Sequence, residues 1–300
     1  MKKVSLWAMC IAMLLSGCQK TPVWKAEHVF VIGLDGWGSY SVEKADMPRV
    51  KALMDEGCYT LKKRSVLPSS SAVNWASMFM GAGPELHGYT EWGSKTPELP
   101  SRVLNEHGIF PTVFSELRKA APDAEMGVLY EWDGIKYLVD TLALNYHAEA
   151  TDYIEHPTKL CDMACRYITE KKPVLSFYCF DHPDYEGHHA GGHDSPDYYA
   201  VLQELDAYVG RIVDAIKAAG IYDNSIIIVT ADHGGIDKGH GGKTMQEMET
   251  PFIIAGKNIK KGGNFDESMM QFDCASTIAY IFGLEQPQVW IGRPMTQVFE

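Results

Sequence analysis

Three apolar runs, each followed within two residues by an aspartate, constrain the fold of this 300-residue chain more than any other feature. The runs occupy residues 29–34, 173–180 and 225–230, and the aspartates that follow them are Asp35, Asp181 and Asp232. Continuous apolar runs of this length are typical of strands that are buried on both faces of a parallel sheet. In open sheets of this kind, the carboxyl ends of the strands line the ligand crevice. The runs therefore predict a parallel sheet with a cluster of carboxylates at one edge.

Helical patterns between these runs predict how the sheet is covered. We predict helices at residues 46–56, 71–80, 111–120, 158–169, 195–219 and 273–282, and further strands at 58–66, 126–130 and 251–255. Alternating strands and helices favour an α/β fold of three layers, in which a mostly parallel central sheet carries helices on both faces. The sequence has no internal repeat and no linker rich in Gly, Pro or Ser, so we expect a single domain over residues 27–300.

The first residues of the chain are typical of a bacterial export signal. Two lysines precede an apolar run over residues 4–15, which is shorter than the about 20 residues that a membrane-spanning helix needs. The run ends in Leu15-Ser16-Gly17-Cys18, which resembles the lipobox of bacterial lipoproteins. We therefore expect a signal peptide at residues 1–17, a lipidated Cys18 and a tether at residues 18–26. This predicts a cell-envelope lipoprotein of the periplasm or outer membrane, which reaches the membrane only through its lipid anchor.

Acidic residues outnumber basic residues by 39 to 27, which gives the chain a formal net charge of −12. Proteins that bind nucleic-acid polymers by neutralising phosphates need a basic face, so we expect no partner of that class. A small phosphorylated substrate is compatible with this charge, because bound metal ions invert the charge of a pocket locally.

Histidines accompany the aspartates at the predicted strand ends. Asp184 and His188 follow the second apolar run, and His233 and His240 follow the third. Several unpaired carboxylates in one buried place would cost much free energy, so a cation is their expected partner. Imidazole ligands favour zinc or a similar metal over magnesium. The sequence therefore predicts a metal site, with zinc preferred and manganese or another divalent ion as alternatives.

Three short motifs carry a resemblance to a known group of enzymes. They are Gly33-Leu34-Asp35-Gly36, Pro183-Asp184-Tyr185-Glu186-Gly187-His188 and Asp232-His233-Gly234. They resemble the metal-binding motifs of the alkaline phosphatase superfamily, and the motif at residues 183–188 most resembles its type I phosphodiesterase and nucleotide pyrophosphatase branch. The segment Ser71-Ala72-Val73-Asn74 is similar to the nucleophile segment of that branch, in which a Thr or Ser lies three residues before an Asn. The resemblance spans residues 29–298.

The resemblance implies an alkaline-phosphatase-like fold and a site for two zinc ions. By analogy, one ion would be bound by Asp184, His188 and His240, and the other by Asp35, Asp232 and His233, with Ser71 as a shared or adjacent ligand. Ser71 would also be the nucleophile. Asn74 would either contact the phosphate of the substrate or stabilise the local structure.

The resemblance also implies hydrolysis of a phosphodiester or pyrophosphate bond through a phosphoseryl intermediate at Ser71. Two alternatives on the same metal site are a phosphomonoesterase and a sulfatase-like hydrolase. Phosphomonoesterases of the superfamily carry a magnesium-binding Glu where this chain has Cys179, and residues 71–75 lack the Cys/Ser-x-Pro-x-Arg pattern of sulfatases. A non-catalytic lipoprotein that binds glycans or lipids is a third alternative.

Four further residues lie close to the motif at residues 183–188. His189 and His193 lie in a glycine-rich stretch at residues 188–193 that resembles a metal-binding tract. Such a stretch is also typical of a surface loop, and we expect both side chains to be exposed there. Asp181 and His182 come directly before the motif, and we expect them to support the metal ligands from outside the metal site.

Overall fold

The computed structural model describes residues 23–189 and 191–300, and its centre is one eight-stranded sheet. The predicted signal peptide and Cys18 lie outside the described residues. The strands are β1 (His28–Leu34), β2 (Cys58–Arg64), β3 (Met126–Tyr130), β4 (Tyr146–Glu149), β5 (Leu175–Phe180), β6 (Ser225–Thr230), β7 (Glu249–Gly256) and β8 (Gly263–Asn264). Among the described residues, no helix combines the length and the apolar character that crossing a bilayer requires.

The sheet is mostly parallel, as predicted. Its strands lie in the order β4-β3-β5-β1-β6-β7-β2-β8, and β7 alone among the described strands runs antiparallel to its neighbours. The central strands β5, β1 and β6 are buried apolar runs. Their register sets Leu34 beside Phe180 and Gly33 beside Thr230, so all three strands end at the same edge of the sheet.

Helices cover both faces of the sheet. In the described part of the chain they are α1 (Pro48–Glu56), α2 (Ser71–Met80), α3 (Pro84–His87), α4 (Val113–Ala120), α5 (Lys159–Lys171), α6 (His182–His188), α7 (Pro196–Ala218), α8 (Met245–Met248) and α9 (Asp273–Ile281). Successive side chains of β1 point to opposite faces, so Val31 packs in one apolar cluster and Phe30 and Ile32 in another. The first cluster includes α2, α4 and α9, and the second includes α1, α5 and α7. The predicted three-layer fold is therefore confirmed.

The longer helices agree best with their predicted bounds. Helix α2 runs from Ser71 to Met80 as predicted, and Gly81 ends it in the left-handed region at φ 61°. Ser195 caps α7 by accepting a hydrogen bond from the backbone of Tyr198. The elements α3, α6, α8, β4 and β8 were not predicted. Each has only two to seven residues, which is too short for a clear hydrophobic period.

Candidate active site

The predicted metal ligands come together where the central strands end. Asp35 directly follows β1. Asp232 and His233 follow β6, and His240 lies in the loop after them. Helix α6, which follows β5, carries Asp184 and His188. They form two sets, the first set being Asp184, His188 and His240 and the second set being Asp35, Asp232 and His233. Within each set, the potential ligand atoms all lie within 4.8 Å of one another.

The first set is arranged around Asp184. A spacing of four residues places Asp184 and His188 on one face of α6, one helical turn apart. The oxygens of Asp184 lie 3.3 Å from Nε2 of His188 and 3.7 Å from Nε2 of His240. Asp184 is buried and His188 is exposed, so this set lies on the solvent side of the site.

The second set lies deeper, and Ser71 contacts it. Asp35, Asp232 and His233 are all buried. Nε2 of His233 lies 3.3 Å from a carboxylate oxygen of each aspartate and 3.1 Å from Oγ of Ser71. Ser71 is the first residue of α2, where the positive end of the helix dipole favours negative charge. The serine hydroxyl is therefore placed for anionic chemistry beside the second set.

Three buried carboxylate oxygens of the two sets have no hydrogen-bond partner among the described residues. They are Oδ1 of Asp35, Oδ1 of Asp184 and Oδ2 of Asp232. Burial and the neighbouring carboxylates raise the pKa of Asp35 and of Asp232 well above the usual range. A cation between these oxygens would provide the missing partner and offset the repulsion. The mixed carboxylate and imidazole donors suit zinc or a similar metal, so the residues present fit a two-metal site.

Backbone carbonyls orient the imidazole rings of both sets. The Nδ1 atoms donate to carbonyl oxygens, His188 to Lys238 at 2.9 Å, His233 to Gly234 at 2.8 Å and His240 to Ser69 at 3.1 Å. A carbonyl oxygen can only accept, so each Nδ1 carries the proton and each neutral ring keeps a lone pair on Nε2. A hydrogen bond from the ring nitrogen that does not bind the metal is the usual support of a metal-bound histidine.

We expect the affinity of the first set for a divalent metal to fall as the pH falls below about 8. The carboxylate of Asp184 raises the pKa of His188 to about 8, and a metal binds only the neutral imidazole. One competing proton should lower the affinity about tenfold for each pH unit below that pKa. Competition titrations with a chromophoric chelator would measure this slope. A constant affinity between about pH 6 and pH 8 would contradict a ligand role for His188.

Ser69 and Ser70, which precede Ser71, are placed differently. Oγ of Ser69 donates a hydrogen bond to the carbonyl of Gly242 at 2.6 Å. The hydroxyl of Ser70 is buried and has no partner among the described residues. Of these three serines, Ser71 is the one whose hydroxyl contacts a predicted metal ligand.

Asn74 faces away from the site, which contradicts the predicted contact with phosphate. Its side chain is fully buried, and Oδ1 accepts a hydrogen bond from the backbone of Val66 at 2.7 Å. Its Nδ2 donates to the carbonyls of Val66, Pro68 and Ser70. An amide with these partners has no donor left for a substrate. Asn74 instead stabilises the loop that leads into Ser71, which was the alternative left open by the sequence.

We therefore expect Asn74→Ala to lower the free energy of unfolding by about 1–3 kcal/mol, because buried backbone groups lose their partners. Urea denaturation of the variant and the wild type would measure the difference. Asn74→Asp is a companion variant that keeps the acceptor for Val66 but loses the donors to the carbonyls, so it should be destabilised as well. Unchanged stability together with a large loss of turnover would restore the catalytic role.

Two hydrogen bonds orient the carboxylates of the second set. Nε1 of Trp75, one turn after Ser71 on α2, donates to Oδ2 of Asp35 at 2.9 Å. The backbone N–H of Gly36 donates to Oδ1 of Asp232 at 3.2 Å. The other oxygen of each carboxylate then points to the candidate metal position. Trp75 was not predicted to have this role, although its spacing from Ser71 on the same helix face is a usable signal.

Glu131 supports the segment before Asp184, and no sequence pattern indicated it. Its buried carboxylate accepts hydrogen bonds from the backbone of Asp181 at 2.7 Å and from Nδ1 of His182 at 2.8 Å. Burial and the charge of Asp184 raise the pKa of Asp181 to about 7. Glu131 therefore fixes the start of α6, and the supporting role expected of Asp181 and His182 stays a prediction.

Lys63 is a second supporting residue that the sequence did not indicate. It is fully buried on β2, and Nζ donates to the carbonyl of Ala231 and to the side chain of Gln271, both at 2.6 Å. Burial lowers the pKa of Lys63 to about 8. Because Ala231 immediately precedes Asp232, Lys63 holds the end of β6 in place.

The two histidines of the glycine-rich loop differ from one another. His189 is exposed as expected, and its Nδ1 donates to the carbonyl of Tyr185 at 2.6 Å. His193 is buried, so the expectation that it is exposed is wrong. Its Nε2 lies 3.6 Å from Oδ1 of Asp184, beside the first set.

A cavity of about 740 Å³ opens over Ser71 and the first set. Its walls include Trp92, Trp132 and Tyr185, which offer aromatic surfaces to a ligand. Among the described residues that line the cavity, none is a lysine or an arginine. The negative charge of a phosphorylated ligand would therefore be balanced by metal ions rather than by basic side chains.

Sequence comparisons match most of the chain. A model of the type I phosphodiesterase / nucleotide pyrophosphatase family matches residues 29–241. The chain is also similar to the bis(5'-adenosyl)-triphosphatase enpp4 of Mus musculus, with 22% identity over 221 residues, 70% of this chain and 47% of the mouse protein. The chain spans about half the length of the bis(5'-adenosyl)-triphosphatase relatives that it matches.

Two solved structures share the fold of this chain. One is murine ENPP5 as an inactive variant in complex with AMP, with a TM-score of 0.75, 16% identity, and coverage of 91% of this chain and 100% of that one. Another is the phosphonate monoester hydrolase of Silicibacter pomeroyi, with a TM-score of 0.69, 15% identity, and coverage of 90% and 76%. The fold is therefore alkaline-phosphatase-like, and the family match covers all six predicted ligands and Ser71. The chain belongs to the type I phosphodiesterase / nucleotide pyrophosphatase family of the alkaline phosphatase superfamily.

Proposed function

We propose that this protein is a two-metal hydrolase that cleaves phosphodiester or pyrophosphate bonds of small substrates, with Ser71 as the nucleophile. The observation that carries the proposal is the position of Oγ of Ser71, which lies 3.1 Å from Nε2 of His233 in a residue that lines the cavity. The enzymatic activity of the family and the two ligand sets beside this hydroxyl support it. We propose zinc as the metal because imidazole contributes to both sets.

In the proposed reaction, the hydroxyl of Ser71 loses its proton to water and its Oγ attacks phosphorus, while the bond to the leaving oxygen breaks on the opposite side and that oxygen takes up a proton from water. Water then hydrolyses the phosphoseryl group, which returns the free serine. Bound metal ions would supply positive charge that favours the serine alkoxide and the charge of the transferred phosphoryl group. The first turn of α2 adds the positive end of a helix dipole at the same place. Trp75 and Gly36 keep Asp35 and Asp232 fixed during both steps.

The shape of the cavity and the relatives support a small substrate with a nucleotide-like leaving group. A volume of about 740 Å³ is within the range of small-ligand sites. The mouse relative is named as a bis(5'-adenosyl)-triphosphatase, and the murine ENPP5 structure holds AMP. Trp92 and Trp132 would offer apolar faces to a planar group.

A buried thiol favours the diester over the monoester reaction. Cys179 occupies the position at which phosphomonoesterases of the superfamily carry a magnesium-binding glutamate. It lies on β5, and burial raises the pKa of its thiol well above the usual range. A neutral thiol is a poor magnesium ligand, so a third metal site of that kind is not part of the proposal.

The experiment compares three nitrophenyl esters with the zinc-loaded protein: a phosphate diester, a phosphate monoester and a sulfate. We expect kcat/KM to be at least about tenfold higher for the diester than for either alternative, since the predicted site lacks the features of the monoesterase and sulfatase branches. A preference for the monoester or the sulfate would replace the proposed reaction while keeping the metal site. No turnover by metal-loaded protein would favour the non-catalytic binding lipoprotein.

We also propose that the mature protein is anchored in the bacterial cell envelope through a lipidated Cys18. The motif that ends at Cys18 and the apolar run before it support this location. Labelled palmitate should be incorporated by the wild type and not by Cys18→Ser. Equal labelling of both proteins would refute the anchor.

A further inference from the structure

We propose that His193 is a fourth protein ligand of the ion that Asp184, His188 and His240 would bind. The inference rests on the proposed two-metal function, because that function is what places an ion in the first set. His193 comes from the loop between α6 and α7 and belongs to neither ligand set. Three features of its surroundings support the assignment.

The first feature is a buried nitrogen atom without a partner. The side chain of His193 is fully buried, and its Nε2 has no hydrogen-bond partner among the described residues. This atom faces Oδ1 of Asp184, which is equally unpartnered, at 3.6 Å. That separation is too long for a hydrogen bond. Two unsatisfied buried atoms would each cost free energy unless something lies between them.

The second feature is the orientation of the imidazole ring. Nδ1 of His193 lies 3.3 Å from the carbonyl oxygen of Asp237, which can only accept a hydrogen bond. The neutral ring then carries its lone pair on Nε2, as in His188 and His240, where Nδ1 also donates to a carbonyl. A lone pair that faces a carboxylate oxygen is repelled by it. A metal ion at about 2.0–2.2 Å from both atoms would remove the repulsion, and this distance is compatible with ligands that are 3.6 Å apart.

The third feature is the space that two glycines leave for the ring. A Cβ atom on Gly187 or on Gly235 would lie 2.3 Å from Nε2 of His193. Gly187 lies on α6 directly before His188, and Gly235 is the second residue after His233. Both glycines therefore belong to segments that carry predicted ligands. The imidazole of His193 therefore occupies space between segments of the candidate site and does not lie on the surface.

A fourth protein ligand changes what the first set can do. One carboxylate and three imidazoles would give this ion four protein ligands, as in tightly bound zinc, and substrate could still bind it as a fifth ligand because zinc can expand to five-coordination. The first set would then retain its ion more strongly than three ligands allow. Removing His193 should make this ion exchangeable while the ion of the second set stays bound.

The test measures metal binding and not turnover. Wild-type protein, His193→Ala and His193→Gln are loaded with Co²⁺, and visible absorption and affinity are recorded for each of two bound ions. We expect both variants to lose at least about 10–100-fold in affinity for one of the two ions, with a changed absorption band, because water replaces an imidazole. Added imidazole should partly restore the band in His193→Ala. The control is His189→Ala, which removes an exposed imidazole from the same loop and should change neither property.

The outcomes separate this proposal from the proposed function. Unchanged affinity and absorption in both His193 variants would overturn the assignment. A loss of affinity with an unchanged absorption band would also overturn it, because it would mean that His193 supports the ligands without binding the ion. Wild-type protein that binds Co²⁺ as expected but hydrolyses none of the three esters would refute the function and leave the assignment standing. Melting temperatures of the metal-free variants show whether His193→Ala is folded, and His193→Gln provides the test if it is not.

Discussion

Replacing Ser71 with alanine will abolish turnover of a phosphodiester while leaving both metal ions bound. The variant loses the hydroxyl that we assign as the nucleophile, whereas the carboxylates and imidazoles of both sets remain. Loss of a nucleophile typically lowers kcat by about 10³-fold or more. Stopped assays with a nitrophenyl phosphodiester and the metal content of dialysed protein measure the two parts of this expectation.

Ser77→Ala is the matched control for Ser71→Ala. Ser77 lies on the same helix, but its Oγ donates to the carbonyl of Val73 at 2.8 Å and contacts His87. We expect this control to keep its kcat. If Ser71→Ala keeps more than about a tenth of the wild-type kcat, the nucleophile is another group, because truncation of a true nucleophile has a far larger effect. Ser70 would then be examined first, since it lines the same cavity.

The central sheet could be predicted from the sequence because burial on both faces leaves a direct pattern. Strands β1, β5 and β6 are continuous apolar runs, and helices as long as α7 show a clear hydrophobic face. Helix α6 could not be predicted in the same way. It has seven residues, among them Asp184 and His188, whose spacing serves metal binding rather than packing.

The ligands of the candidate site were predictable because each lies in a short local motif. Glu131 and Lys63 support the same site but meet their partners only through the fold. Glu131 is 50 residues from Asp181, and Lys63 is 168 residues from Ala231. A single polar residue with a distant partner leaves no spacing that the sequence reveals, so such supports appear only once the strands are assembled.

Asn74 and His193 show how a local pattern can mislead. Three residues after the nucleophile, Asn74 was a candidate for contact with phosphate, yet its amide is occupied by the backbone of residues 66–70. A glycine-rich loop normally indicates exposure, yet the ring of His193 fills the space beside Gly187 and Gly235. In both cases the tertiary neighbours decide where the side chain points.

Replacing Asp232 with asparagine will stabilise the metal-free protein and destabilise the metal-bound protein. Burial and the charge of Asp184 raise the pKa of Asp232 well above the usual range. A raised pKa in the folded state means that this carboxyl contributes stability at low pH, which is lost as the pH rises through the raised value. At about pH 8 without metal, the cost of placing a carboxylate charge in this buried site therefore opposes folding. Asparagine removes that charge and can still accept the hydrogen bond from Gly36.

With metal, the wild type should be more stable than Asp232→Asn. An ion that binds only the folded state stabilises it, and the variant binds the ion more weakly because it lacks a carboxylate ligand. Melting temperatures measured with excess chelator and with excess zinc test both halves. We expect Asp232→Asn to melt above the wild type with chelator and below it with zinc. Asp140→Asn is the control, since its buried carboxylate pairs with His107 and Asn105 outside both sets, and it should lower Tm equally in both conditions. If Asp232→Asn melts on the same side of the wild type in both conditions, Asp232 is not a metal ligand.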